Sequence, residues 1–363
     1  MDESRALRRV MIAWFQREAR DLPWRRTRDP YAIWLSEIML QQTRVEQGLP
    51  YYERFLAALP DVAALAAASQ EQVLKLWEGL GYYTRARNLH KAAGIVVTQY
   101  GGEIPRKAEI LQLLPGIGRY TAGAIASIAF EEQVPVLDGN VKRVLSRLYN
   151  IETPIEATVT ERDMWRLAER LAAGKHPGDF NQGMMELGAR LCTPKKPSCD
   201  ECPVHRFCKA AALGLQEARP VRKPRKAVPH KEIVVAAIRQ ADGKYLLGKR
   251  PEDGLLGGLW ELPGGKVEAG ETHQQALVRE CREELGVQID VGGLIATVKH
   301  AYTHFRVTLN VYRCHLRQGH PAPRTHTELR WVAPNDFKQY PFPKANHKFL
   351  PLLQPADSEQ HLA

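Results

Sequence analysis

Two carboxylates in the first half of the chain sit in surroundings that favour chemistry. Glu37 lies in YAIWLSEIMLQQT (31–43), a stretch that is apolar nearly all round if helical, with Ile33, Trp34, Leu40 and Gln41 one turn either side. Desolvation there raises a carboxyl's pKa, so Glu37 could hold a proton near neutral pH as a general acid must. The same pattern also suits a core Glu satisfied by one hydrogen bond. Asp138 falls in LDGNV (137–141), a Gly/Asn-flanked loop between apolar runs. It could cap a helix beginning at Val141, but Asn140 is the better-placed cap, which leaves Asp138 free. A protonated Glu and an ionised Asp make a pair suited to breaking an N-glycosidic bond: the acid protonates the leaving base, and the anion stabilises an oxocarbenium-like sugar.

Four of the six cysteines, Cys192, Cys199, Cys202 and Cys208, form C-x6-C-x2-C-x5-C. Four thiolates in so short a loop can enclose zinc or an iron–sulfur cluster. Lys195, Lys196 and Arg206 within the loop are either solvated or in contact with phosphates. Further on, Glu280, Glu283 and Glu284 stand at i, i+3 and i+4, sharing one helix face. Such a face is either solvated or a hard-oxygen site for Mg²⁺ and a pyrophosphate.

The elements that must carry these residues differ along the chain. The first two hundred residues repeat apolar positions at helical spacing, as in Leu7, Val10, Met11, Trp14 and Phe15, with Pro50, Pro60, Pro105 and Pro115 as punctuation. LPGIG (114–118) reads as a tight turn whose Gly116 and Gly118 allow positive φ, opening a helix over 121–129. That turn is either a plain helix–turn–helix corner or an anion site for a nucleic-acid phosphate. Residues 213–231 hold three prolines and six Lys/Arg against one Glu, and read as an exposed basic linker, a spacer or a DNA-tracking arm. Beyond it, strand-like runs at 232–238, 245–247, 295–298 and 307–312 flank a helix over 272–285, and residues after Pro351 read as a frayed tail. A length of 363 residues and a net charge of +10 fit two domains and a polyanionic partner. With no apolar signal or spanning segment, a cytoplasmic protein without membrane association is expected, and the reducing compartment favours metal for the clustered cysteines.

The 6-2-5 cysteine spacing resembles the [4Fe–4S] loop of endonuclease III and MutY. SEIMLQQT (36–43), GLGYYTRARNL (79–89) and LDGNV (137–141), together with LPGIGRY, resemble MutY-type adenine DNA glycosylases over about residues 22–208. The resemblance implies an all-α helix-hairpin-helix domain in which Glu37 protonates adenine, Asp138 stabilises the sugar cation and Asn140 orients the reacting groups. It implies that Gln42 and Tyr82 wedge into the stack beside a flipped nucleotide, and that Trp24, Arg25 and Gln182 line the adenine pocket. Read blandly, Tyr82 is core packing and Gln42 a surface amide. Tyr120 stands where endonuclease III-like lyases carry a Schiff-base Lys, so a monofunctional enzyme is implied; Lys142 nearby reads as a phosphate contact.

Residues 265–287 fit G-x5-E-x7-R-E-U-x-E-E-x-G-U, with Cys281 in the first apolar slot, and match the Nudix box. An α/β/α Nudix-like fold follows, with Mg²⁺ on Glu280, Glu283 and Glu284 unless Lys266, Arg279 or Arg282 pair with the carboxylates internally, and Glu328 as a distal carboxylate. Tyr302, Thr303 and His304 resemble the loop by which MutY-type enzymes recognise 8-oxoguanine. The expected organisation is a glycosylase domain at 1–212 with the cluster loop at 192–208, a linker at 213–231, a Nudix-like domain at 232–351 and a tail at 352–363. The expected function is that of a monomer removing adenine opposite 8-oxoguanine or guanine in double-stranded DNA. The rivals are an 8-oxo-dGTP hydrolase, alone or as a second activity, and a thymine-type mismatch glycosylase.

Overall fold

The computed structural model describes residues 3–224, 228–302 and 305–354. The chain divides into two compact units, Met1–Ala67 with Asn88–Arg225 and Ala68–Arg87 with Lys226–Ala363. Residues 68–87, which helical periodicity assigns to the first domain, therefore belong to the C-terminal unit.

The first unit is helical. Pro30–Leu40 begins at Asp29, whose carboxylate accepts from the Tyr31 and Ala32 amides, with Pro30 at the first position. Residues 31–39 are all buried, as an all-round apolar helix requires. It packs on Arg119–Phe130, which in turn meets Pro177–Arg190; that last helix also contacts Glu3–Glu18 and Gly139–Leu148. Gly178 and Gly188 permit two of these approaches, since a Cβ at either would lie 2.6 Å from the Ser127 carbonyl oxygen or from Asn140 Cβ.

Three local expectations are corrected here. The helix after LDG starts at Gly139, and its N-cap is Asp138, not Asn140. A cap must accept the amide three residues on, and Asp138 Oδ1 takes the Val141 N–H at 2.7 Å. In the LPGIG turn only Gly116 is left-handed (φ +78°); Gly118 has φ −82° and is the extended N-cap of the next helix, so one positive φ suffices. Residues 213–224 are no free spacer: Arg147 Nε donates to the Arg219 carbonyl, Ile155 N to the Val221 carbonyl, and Arg219 and Arg222 pair with Glu152 and Glu156.

In the second unit, strands β1 (His230–Ile238), β4 (Gly264–Lys266), β5 (Gln288–Ala301) and β6 (Arg306–Gln318) form a mixed sheet ordered β4-β1-β6-β5. Strands β2 (Tyr245–Lys249), β3 (Trp260–Glu261) and β7 (Glu328–Val332) form a second, ordered β3-β2-β7. The period-2 alternation of β1 decides the layers: Val234, Ala236 and Ile238 pack under the helix His273–Leu285, while Val235 and Ala237 face the core holding Trp260, Phe337, Phe342 and Phe349. The expected tail begins too early, because Leu350–Leu353 is a 3-10 turn with Leu353 buried in that second core.

Candidate active site and cofactor loop

In the first unit, the helices Pro30–Leu40, Arg119–Phe130, Gly139–Leu148 and Pro177–Arg190 converge on a cavity of about 160 Å³, the room of roughly five waters at ~30 Å³ each. Glu37, Tyr120, Asp138, Asn140, Trp24, Arg25 and Gln182 all line it. Tyr120 donates its hydroxyl proton to Glu37 Oε2 at 2.7 Å. Burial pushes the Glu37 carboxyl up to about 7; the Asp138 charge adds to the rise, and the Tyr120 hydrogen bond and Arg25 oppose it. Burial and the two carboxylates push the Tyr120 hydroxyl well above its ordinary 10, so this group donates and does not ionise.

Asp138 is pushed up as well, though more of its surroundings oppose the shift. Burial raises its pKa, but the Val141 amide, the Asn140 side chain and the Arg143 charge all favour the anion. Asn140 Nδ2 donates to Asp138 Oδ2 at 3.0 Å and its Oδ1 accepts from Arg143 at 2.8 Å. Arg143 also donates to the carbonyls of Gly188 and Cys192, both at 2.7 Å. Two buried carboxyls thus share one small cavity, one hydrogen-bonded by a tyrosine hydroxyl and the other by a backbone amide and an asparagine.

Of the pocket residues, Gln182 is buried, and its amide has no hydrogen-bond partner among the described residues, leaving donor and acceptor available for a base edge. Arg25 is committed instead to Glu186 at 2.7 Å. Arg20 joins it with two further bonds. Burial alone would raise Glu186; the two guanidiniums hold it down to about 2. Arg20, Met185 and Glu186 escaped sequence reading because partners 166 positions apart leave no local pattern.

Other expected residues lie outside this cavity. Gln42 is exposed and left-handed (φ +57°). Gly116 is packed against Asn88. Tyr82 belongs to the second unit. Lys142 pairs with the partly exposed Glu161 at 2.8 Å.

The four cysteines are reduced and half-buried. Burial and mutual charge push Cys199 and Cys208 up and Cys202 up to about 12, so the thiolates need added positive charge. Arg147 supplies some at 3.2 Å from Cys192 Sγ. Among the described residues no three His, Cys, Asp or Glu side chains converge on a single ion.

In the second unit a cavity of about 590 Å³ runs from Glu280, Glu283 and Glu284 to Tyr302, Phe305 and Asn346. Arg279 donates to Glu280 at 2.9 Å and to Glu283 at 3.3 Å, so a cationic group already sits among these carboxylates. Burial pushes Glu284 up to about 7, against the nearby His326 charge and the Gly264 amide it accepts from. Glu328 pairs with Arg330 and does not line the cavity; Glu261 does. Thr303 and His304 lie outside the described residues. Asn346 was missed by the sequence: it is 7% exposed, and its side-chain amide has no hydrogen-bond partner among the described residues.

Residues 35–170 match the HhH-GPD superfamily of base excision DNA repair proteins, residues 192–208 the iron–sulfur binding domain of endonuclease III, and residues 234–352 the NUDIX domain. The chain is 38% identical to the adenine DNA glycosylase of Rattus norvegicus, covering 92% of this chain and 75% of that one. It is also 38% identical to the adenine DNA glycosylase of Homo sapiens, covering 92% and 71%. The chain belongs to the adenine DNA glycosylase family. The matched helical repair domain, iron–sulfur segment and NUDIX domain account for the two folds seen here. A thermostable thymine-DNA glycosylase superposes with a TM-score of 0.53 at 29% identity, over 58% of this chain and 97% of that one. As an adenine DNA glycosylase the chain is a base-excision repair hydrolase of N-glycosyl bonds with DNA as its partner. No helix among the described residues is long and apolar enough to cross a membrane.

Proposed function

We propose that the chain acts as a monomer that removes adenine mispaired with 8-oxoguanine, or with guanine, from double-stranded DNA. The supporting observation is the buried Glu37 carboxyl, poised near pH 7 beside Asp138 in a cavity too small for a duplex. The adenine nucleotide must therefore flip out of the stack. Gln182 pairs with the base edge and Trp24 packs on the base. Glu37 gives its proton to an adenine ring nitrogen. The C1′–N9 bond then breaks and its electron pair leaves with the base. Asp138 stabilises the sugar cation, Asn140 fixes the Asp138 carboxylate, and water adds to C1′ with loss of its proton. Gln42 and Tyr82 fill the gap in the stack, and Gly116 and Gly118 bring backbone close to a phosphate. Tyr120 cannot form a Schiff base, so the product is an intact abasic strand. Cys192, Cys199, Cys202 and Cys208 would hold a [4Fe–4S] cluster that orders the loop after helix Pro177–Arg190. Alkaline strand cleavage of duplexes with adenine opposite 8-oxoguanine, guanine, cytosine and thymine tests the reading. Breaks without alkali, or equal release from every pair, would refute it.

The second unit supports two readings. In the first, recognition of 8-oxoguanine in DNA falls to the cavity end at Tyr302, with Thr303 and His304 assigned to it by sequence resemblance alone. The continuous cavity and the unpaired Asn346 amide also favour a free purine nucleotide, its base on Asn346 and its phosphates toward the box. Glu280, Glu283 and Glu284 would hold Mg²⁺, which would supply charge at a pyrophosphate; Arg279, paired internally with Glu280 and Glu283, would have to yield those carboxylates to it.

A further inference from the structure

The turn that carries Tyr82 is built by the unit that carries the NUDIX domain. The helix Gln70–Trp77 opens with a Ser69/Gln72 capping box and buries Val73, Leu74 and Trp77. The chain then reverses through Gly79 (φ +91°), Gly81 (φ +80°) and Tyr82 (φ +50°). A tyrosine in the left-handed region is strained and persists only where its surroundings over-determine it. Those surroundings come largely from one segment after β7. Glu78 Oε1 accepts the Phe342 amide at 2.7 Å and lies 3.2 Å from His347 Nε2, while Glu78 Oε2 takes Lys75 Nζ at 2.6 Å. Lys75 also donates to the Tyr340 carbonyl at 3.0 Å. On the far side of the turn, the Gly79 amide donates to the Tyr83 hydroxyl at 3.0 Å, and that hydroxyl donates to the Phe342 carbonyl at 3.3 Å. Both ends of the turn are thus tied to the two polar groups of one buried residue's backbone; Phe342 is 1% exposed. Trp77 Nε1 closes the loop on the Gly81 carbonyl at 3.1 Å. Tyr82 itself stays half-exposed.

We infer that Glu78 is a positioning residue for base flipping: bound to the Phe342 backbone, it makes the NUDIX unit the platform that presents Tyr82 to DNA. The inference rests on the reading of Tyr82 as the inserting side chain. It gives the C-terminal unit a part in the excision step separate from contact with the opposite base. The two ties act at the ends of the strained segment, so losing one lets the turn relax to ordinary φ values and withdraws the ring.

The test is a double-mutant cycle on the full-length chain with its cluster, read by single-turnover excision from a duplex carrying adenine opposite 8-oxoguanine. A neighbouring 2-aminopurine reports unstacking. Glu78→Ala leaves the Phe342 amide buried without its acceptor and is expected to slow excision roughly tenfold and to lower the 2-aminopurine signal. Glu78→Gln keeps an oxygen for that amide and should recover most of both. Tyr82→Ala should slow excision by at least as much, and adding Glu78→Ala to it should cost nothing further, because both act through the same ring. Additive losses, or Glu78→Ala at the wild-type rate, would overturn the inference while leaving the Tyr82 reading intact. A wild-type rate for Tyr82→Ala would sink that reading and the inference with it. Should Glu78→Ala not fold, Tyr83→Phe removes the other tie of the turn to the Phe342 backbone, and the same cycle decides.

Discussion

Replacing Glu37 by Gln should abolish adenine release and, at alkaline pH, make the protein more stable. The stability effect follows from burial. The Glu37 carboxyl rises from the ordinary 4.5 to about 7 in the folded chain. Between those values the native state binds a proton that the unfolded chain has lost, so stability falls as pH rises and the loss is complete above about 7. At about 1.4 kcal/mol for each pH unit, the ionised carboxylate costs the fold on the order of 3 kcal/mol at pH 8 and close to nothing at pH 4. Glutamine keeps the shape and an oxygen for the Tyr120 hydroxyl without a charge to desolvate. In thermal unfolding, Glu37→Gln should therefore gain roughly 6–12 °C at pH 8, using about 2–4 °C per kcal/mol for a unit of this size, and little at pH 4.5. Single-turnover excision measured in parallel should be absent at both pH values, with duplex binding kept. Equal stability shifts at the two pH values would show that Glu37 is not a desolvated carboxyl. Residual near-normal excision would remove it as the acid.

Three other outcomes are expected. The Tyr120 hydroxyl favours the Glu37 carboxylate, so Tyr120→Phe should move the alkaline limb of the pH–rate profile upward by about 1–2 units, the worth of a hydrogen bond to a charged group; a fixed or lowered limb would contradict the 2.7 Å bond's role. Cys199→Ser should reduce bound iron and sulfide and weaken duplex binding, whereas fully active protein with stoichiometric zinc would remove the cluster assignment. In the second unit, 8-oxo-dGTP with Mg²⁺ should release pyrophosphate at a rate lost in Glu283→Gln and lowered in Asn346→Leu; no turnover above Glu283→Gln leaves only recognition of the lesion in DNA.

Local codes were legible without coordinates. An all-round apolar run predicts a buried helix, and the Pro30–Leu40 helix buries Glu37 for that reason. Cysteine spacing is a short-range constraint, and the loop it marks is an iron–sulfur binding segment. The Nudix pattern likewise specified a helix and its glutamate face. What stayed hidden depends on partners far apart in the chain. Asp138 and Asn140 exchanged capping roles because the choice between two polar neighbours is settled by where the incoming chain turns, here with Gly188 pressed against Asn140. The short strands β3, β4 and β7 exist only through pairing with β1 and β2, and carry too few residues to show a period.

The sequence by itself determined the carriers of chemistry: a carboxyl in an apolar helix, four spaced thiols, three glutamates on one face, and a tyrosine in place of a lysine. These depend on residue type and on spacings within a helix turn or a short loop, which the chain encodes directly. Only the tertiary structure decided that Tyr120 meets Glu37 across 83 positions, that Glu186 disarms Arg20 and Arg25, and that residues 68–87 fold with the NUDIX domain. Such pairings are set by which buried faces find one another, and no stretch of sequence contains both halves.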